Sequence, residues 1–305
     1  MLKIENITIL LNGSPINANA LQHAVNFAKD HGAHIHFLKV VESCPRITMM
    51  FNSSTASIKK SLHTSLEAEV KKFAAITNDI PYSCNLREGT IFVETIREIS
   101  RTKSSLLIIP EPDTRPTYFD NTYHHLARKC PAPVWFVKKN FLHDPIRTLV
   151  VIDLDFNEET IRNNNAKCMD IARMLAKSHG AIIDVTHTWS LPNEDHLREI
   201  ASNITISQIK EMTAREHHYH EEWFYSFVLK QQGMKLNSVD LLNGDKGTIV
   251  SELVKKNAID LLIMATVNDI ATPGVLISNE AESILQEVDC SVMAIKPDGF
   301  TSPVT

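Results

Sequence analysis

Long apolar runs and clusters of basic residues are both missing from this sequence. No apolar stretch approaches the length of a membrane span, and residues 1–12 carry Lys3, Glu5 and Asn6 within their apolar stretch. The formal net charge is −5 at pH 7, and no Lys/Arg-rich run is interleaved with aromatic residues. We therefore expect no membrane partner, no direct nucleic-acid partner and, most simply, a cytoplasmic protein.

Cysteines at Cys-x-x-Cys spacing are also absent. An odd number of well-separated cysteines is typical of reduced, mostly packing thiols in a reducing compartment. The five cysteines are Cys44, Cys84, Cys130, Cys168 and Cys290.

The signatures of common enzymes are missing as well. There is no Gly-x-Ser-x-Gly elbow, no Walker loop and no Gly-x-Gly-x-x-Gly after a strand. The segment Gly244-Asp-Lys-Gly247 lacks the glycine spacing of a Walker loop, and we interpret it as a turn that caps a helix from Thr248 to Lys256. Without a convincing nucleophile, base or metal triad, we expect no catalysis.

What the sequence does contain is an internal repeat. Gly89 and Gly244 each precede a Leu-Leu-Ile strand, which begins at Leu106 and at Leu261 respectively. Strands alternate with helices in both copies, which predicts an α/β fold with two doubly wound parallel sheets. We predict domains over residues 1–141 and 142–305. Two further pairs of matching segments are 30–33 with 177–181, and 134–138 with 292–296.

The stretch from Asp260 to Leu285 reads as a buried strand, a polar loop and a helix N-terminus, which in an open α/β sheet face the ligand crevice. Its spacing resembles the universal stress protein family, whose ATP-binding members carry Gly-x2-Gly-x9-Gly-Ser/Thr after the fourth strand. The positions of that motif fall on Ala265, Asn268, Ser278 and Asn279. None of the three glycines is present.

The repeat and the closing segment 295–300 resemble the tandem members of this family, especially the E type. The resemblance implies a Rossmann-like fold of the adenine nucleotide alpha hydrolase kind. It further implies five-stranded sheets in the order 3-2-1-4-5, domains packed through their fifth strands, and a role in survival under stress. A homodimer is expected by the same analogy.

Glycine at such positions lets backbone approach phosphate without a Cβ in the way, so its loss disfavours ATP, and no cofactor is expected. In the first copy the corresponding positions are Pro110, Asp113 and Tyr123, with His124 in the hydroxyl position. His124, His125 and Arg128 are open to two interpretations, an anion site or a solvated helix face, and the second is favoured.

The second copy keeps polar residues at the crevice. ATP-binding relatives carry an aspartate near the nucleoside, where this sequence has Asp153. Asp153, Ala265, Thr266, Asn268, Ser278 and Asn279 are the candidate ligand-binding residues. In the interpretation that we favour, Asp153 or Asp155 caps the helix that begins near Glu158, and Ser278 caps another.

A second polar cluster lies on a helix predicted over about residues 194–231. His217 and Glu221 are four residues apart, so the pair could present two metal ligands on one face. Tyr219, Trp223 and Phe227 are predicted to form the buried stripe, which places His217 and Glu221 on the solvated side. A surface Zn²⁺ site completed by another ligand is the alternative.

From these observations we expect a non-enzymatic stress-response and regulatory module that acts through ligand or protein contacts. A nucleotide-binding protein or slow ATPase that uses the C-terminal copy is the first alternative. A carrier of a small molecule or of zinc is the second.

Overall fold

Ten strands form within the described residues. The structure, a computed structural model, describes residues 4–12, 17–42, 55–72, 80–112, 117–138, 143–154, 159–192, 205–231, 233–266 and 279–304. The strands are β1 (Asn6–Leu10), β2 (His34–Val41), β3 (Tyr82–Glu88), β4 (Leu106–Pro110), β5 (Val134–Val137), β6 (Arg147–Val151), β7 (Ile182–Trp189), β8 (Ser238–Asn243), β9 (Leu261–Ala265) and β10 (Ser291–Ile295).

Helices connect these strands within the described residues. They are α1 (Ala18–Asp30), α2 (Thr55–Lys72), α3 (Ile91–Thr102), α4 (Thr117–Lys129), α5 (Glu159–His179), α6 (Ile206–Leu229), α7 (Lys246–Lys256) and α8 (Asn279–Glu287). In the part of the chain that the structure describes, none of them combines the length and the apolarity that a bilayer crossing requires.

All ten strands belong to one sheet, in the order β3-β2-β1-β4-β5-β10-β9-β6-β7-β8. Each half therefore has the order 3-2-1-4-5, with parallel pairing inside the half. β4 and β9 are buried along their whole length, as expected for strands covered on both faces. The predicted α/β class and strand order are confirmed.

The two halves meet through their fifth strands. β5 and β10 pair antiparallel, with Trp135 opposite Met293. These two residues occupy the same position in the repeated segments 134–138 and 292–296, so an approximate two-fold axis passes between them. The predicted boundary between residues 141 and 142 falls in 139–142, outside the described residues.

Two apolar cores lie on opposite faces of the sheet, and each is continuous across both halves. One core contains residues of α1, α2, α5 and α6, and the other contains residues of α3, α4, α7 and α8. On the first face, His179 Nε2 of α5 lies 2.9 Å from Asp30 Oδ2 of α1. Since α1 belongs to the first copy and α5 to the second, this contact also joins the two copies.

Helix α6 differs from its prediction. It begins at Ile206 with a capping box made by Thr205 and Gln208, and residues 193–204 lie outside the described residues. Tyr219 is 43% exposed, so its assignment to the buried stripe is wrong. The buried residues of this helix are Ile209, His220 and Phe224, with Trp223 and Phe227 half-buried.

Candidate functional site

An ion pair lies at the carboxyl end of β6. Asp153 follows this strand by two residues, and its Oδ1 contacts the Nζ atom of Lys246, the first residue of α7. The two side chains are 15% and 13% exposed. This edge of the sheet is where open α/β folds bind ligands, so the crevice of the C-terminal half already contains a cation beside its aspartate.

The local sequence explains how Lys246 reaches this position. Asp245 is the N-cap of α7, and its Oδ2 accepts a hydrogen bond from Thr248 N at 2.8 Å. That hydrogen bond lowers the pKa of Asp245. Lys246 therefore begins the helix, where the macrodipole disfavours a cation, and its contact with Asp153 offsets that penalty. The predicted capping turn is confirmed, with the helix starting two residues earlier.

The backbone of Asp153 is fixed from the other side. Asn165 of α5 donates its Nδ2 hydrogen to Asp153 O at 2.6 Å and accepts from Asp153 N at 3.2 Å. The carboxylate of Asp153 thus points to α7. Helix α5 begins six residues after Asp153, at Glu159. Asp155, the other residue predicted to cap that helix, lies outside the described residues.

Two buried histidines lie beside this ion pair. His187 of β7 is 3% exposed and His220 of α6 is 9% exposed. His187 Nδ1 lies 2.8 Å from Ile152 O, and His187 Nε2 lies 2.8 Å from His220 Nδ1. Burial lowers the pKa of both rings, that of His187 to about 4. This pair fills the space between β7 and α6 next to Asp153.

Thr266 and Lys296 form a second polar contact where the halves meet. Lys296 Nζ donates to Thr266 Oγ1 at 2.8 Å and to Ala127 O near the end of α4. Thr266 in turn donates through Oγ1 to Ile295 O at 3.3 Å. Lys296 is 1% exposed, and this burial lowers its pKa to about 7. Thr266, predicted as a ligand-binding residue, is thus engaged by the protein itself.

The remaining predicted ligand-binding residues lie at or beyond the end of β9. Ala265 is its last residue and is 5% exposed, and Pro110 is the last residue of the corresponding strand β4. The first motif position therefore has the same structural place, at the end of the fourth strand, in both copies. Asn279 is the first residue of α8, and its side chain is not described. Asn268 and Ser278 lie outside the described residues.

The polar residues of the first copy are packed rather than solvated. Tyr123 stacks on Phe136 with 4.4 Å between ring centroids, and His125 stacks on Phe92 at 4.3 Å. His124 and Arg128 are half-buried, so the expectation of a solvated helix face is wrong here. Asp113 lies outside the described residues.

The two residues of the predicted metal pair, His217 and Glu221 of α6, lie near other side chains. His217 is exposed and its ring lies 5.1 Å from that of Trp189, whereas Glu221 Oε2 lies 4.0 Å from His218 Nδ1. Among the described residues, no group of three or more His, Cys, Asp or Glu side chains is placed to hold a metal ion. Zinc binding by His217 and Glu221 stays a prediction.

Four residues that make the polar contacts described above were not predicted from the sequence as site residues. They are Lys246, Lys296, His187 and His220. The signal for Lys246 was its position directly after an N-cap, where a lysine is disfavoured. The signal for His220 was its spacing of four residues from Phe224, which places it on the buried side of the helix.

The two halves match one family of proteins. The model of the Universal stress protein family matches residues 3–138 and 163–296. The chain belongs to the universal stress protein family. Because the two matches are separate and lie in different halves of the sheet, the chain holds two family domains in tandem.

Curated relatives in this family are similar at low identity. Universal stress protein E of Escherichia coli (strain K12) is 24% identical over 188 residues, which are 61% of this chain and 58% of the relative. The chain thus spans less than two thirds of that relative. Universal stress protein E of Photorhabdus laumondii is 19% identical over 324 aligned positions, which cover 100% of this chain and 98% of the relative.

Solved structures support the same fold. A functionally unknown protein, PA1789, from Pseudomonas aeruginosa PAO1 has a TM-score of 0.63 at 18% identity, with 97% of this chain and 94% of that chain covered. A universal stress protein from Archaeoglobus fulgidus has a TM-score of 0.63 at 13% identity, with 95% and 98% covered. At these identities the likeness concerns the fold alone.

Proposed function

We propose that this tandem universal stress protein is a non-enzymatic regulatory module of the stress response, which acts through ligand or protein contacts and has a degenerate ATP motif. The observation that carries the proposal is the contact between Lys246 and Asp153. In ATP-binding relatives an aspartate at this place lies near the nucleoside. Here that carboxylate already has a cationic partner from the same chain.

The strand ends support the same conclusion. Side chains occupy the glycine positions of the motif in both copies, at Ala265, Pro110 and Tyr123 among the described residues. A Cβ atom keeps phosphate from approaching the backbone, and proline also lacks the N–H group that would donate to a phosphate oxygen. Thr266, a polar residue next to the motif, already contacts Lys296.

The principal alternative is nucleotide binding or slow ATP hydrolysis by the C-terminal half. It uses the same elements, because the aspartate and the N-terminus of α8 are both present at the carboxyl edge of the sheet. A nucleotide would then have to displace Lys246 from Asp153 and separate a nearly buried ion pair. We therefore favour a ligand of another chemical class, or a protein partner.

Native mass spectrometry of protein purified without denaturation tests this proposal. We expect a homodimer whose mass is that of bare chains or of chains with a ligand other than a nucleotide. The same sample in acid gives the mass of the bare chain as its control. ATP, ADP or AMP bound at one equivalent per chain would overturn the proposal, and a bound zinc ion would favour the carrier alternative instead.

A further inference from the structure

A series of polar contacts passes through the histidine pair between β7 and α6. It runs from Ile152 O through His187 and His220 to Glu216 Oε1, which lies 3.2 Å from His220 Nε2. The two imidazole rings are nearly parallel, with 23° between their planes. His220 therefore joins α6 to the sheet through a polar contact inside an apolar face.

The acceptor groups at the two ends of this series of contacts determine which ring nitrogen atoms carry hydrogen. A backbone carbonyl only accepts, so His187 carries a hydrogen on Nδ1, and its neutral ring accepts through Nε2. The hydrogen between the rings therefore belongs to His220 Nδ1. Since an ionised Glu216 also only accepts, its contact is a hydrogen bond when His220 Nε2 carries a proton as well.

This series of contacts thus accommodates one extra proton, on His220 beside Glu216. A second proton would go to His187 Nε2 and would place two N–H groups opposite each other across 2.8 Å. The hydrogen bond between the rings is lost in that state, and two cationic rings face each other in a buried space. Contact between α6 and β7 is therefore compatible with one protonated ring and incompatible with two.

We propose that His187 and His220 form a proton-binding site that controls the docking of α6, with the second proton releasing this helix from the sheet. The proposal does not depend on what the crevice binds, because it concerns a contact within the chain. Release would expose the apolar side of α6, which includes Phe224 and the half-buried Trp223 and Phe227.

The charges around the pair come from three elements. Asp153 after β6 favours a proton on His187, whereas Lys246 of α7 opposes it. From α6, Glu216 favours a proton on His220 and His217 opposes it. Burial is the largest effect on both rings and lowers both pKa values, so His187 takes up its proton only in moderately acidic solution.

The direction in which pH changes the docking of α6 follows from these pKa shifts. The pKa of His187 falls from 6.5 to about 4 on folding, so the docked state binds fewer protons than the released state between these values. Docking is therefore fully retained above pH 6.5 and weakens as the pH falls toward 4. The docking equilibrium should change by up to about tenfold per pH unit.

Hydrogen exchange read by mass spectrometry over a pH series tests the proposal on the unmodified protein. We expect the protection of α6 amides, divided by that of α7 amides in the same sample, to fall by up to about tenfold per unit between pH 6.5 and 4. The ratio cancels the intrinsic pH dependence of exchange. A ratio that stays constant across this range would overturn the proposal.

Variants separate the pair from other acid effects. The double variant His187→Gln/His220→Gln should give a pH-independent ratio, whereas His218→Gln, at a side chain that is 68% exposed, should behave like the wild type. If the double variant does not fold, nitrogen NMR of the wild-type imidazoles decides. We expect His187 with hydrogen on Nδ1 alone at pH 7.5, and hydrogen on Nε2 at that pH would refute the proposed site.

Discussion

Replacing Lys246 by methionine is expected to lower the free energy of unfolding of the C-terminal half by about 3 kcal/mol at pH 7. The substitution keeps the length of the side chain but removes the ammonium group that contacts Asp153. Both side chains are mostly shielded from water, so solvent screening does not compensate for that loss. Denaturant unfolding followed by tryptophan fluorescence, to which Trp135, Trp189 and Trp223 all contribute, measures the change.

The double variant Lys246→Met/Asp153→Asn is the matched control. It removes both charges at once, so most of the lost stability should return if charge pairing causes the effect. A single variant as stable as the wild type would contradict the ion pair. A double variant no more stable than the single one would instead assign the loss to packing of the lysine stem.

The second large expected effect is the pH dependence of stability that Lys296 causes. Its pKa falls from 10.5 in the free side chain to about 7 on burial, so the folded state binds fewer protons than the unfolded state between these values. Stability from this group therefore rises with pH through this window. We expect the unfolding free energy of the wild type, relative to Lys296→Met, to increase by about 1.4 kcal/mol per unit from pH 7 to 9.

Burial explains this direction, and the contacts of Lys296 are compatible with a neutral amine. Its Nζ atom donates to a carbonyl and to a hydroxyl, which together use the two N–H groups of a neutral amine. The control is Lys138→Met at the corresponding, half-buried position, where Nζ lies 3.3 Å from Val288 O. Lys138→Met should follow the pH dependence of the wild type. If the unfolding free energies of Lys296→Met and the wild type changed equally with pH, this would show that the buried amine keeps its proton.

Sequence periodicity was sufficient to predict the α/β class and the internal repeat, because it is a local signal. Gly89 and Gly244 follow the third strand of each half, with φ of +148° and +139°. Such backbone favours glycine, so equal placement before two Leu-Leu-Ile strands marks the repeat. The strand order and the pairing through the fifth strands came instead from the resemblance to the family.

The site contacts were less accessible to sequence reasoning, because they join residues far apart in the chain. Asp153 and Lys246 are 93 residues apart in the chain, and no spacing rule connects them. The α6 face was misjudged because tyrosine counts as apolar and histidine as polar. In the structure the tyrosine hydroxyl end permits exposure at Tyr219, whereas His220 is buried by its contact with His187.

Equilibrium dialysis with labelled ATP tests most directly whether the C-terminal half has lost the family's nucleotide site. The wild type and Asp153→Ala are compared. A third variant, Ala265→Gly/Asn268→Gly/Ser278→Gly, restores the three glycines of the motif and shows whether they alone recover binding. We predict no saturable binding of ATP by the wild type at micromolar concentration. Saturable micromolar binding by the wild type that Asp153→Ala abolishes would contradict this account.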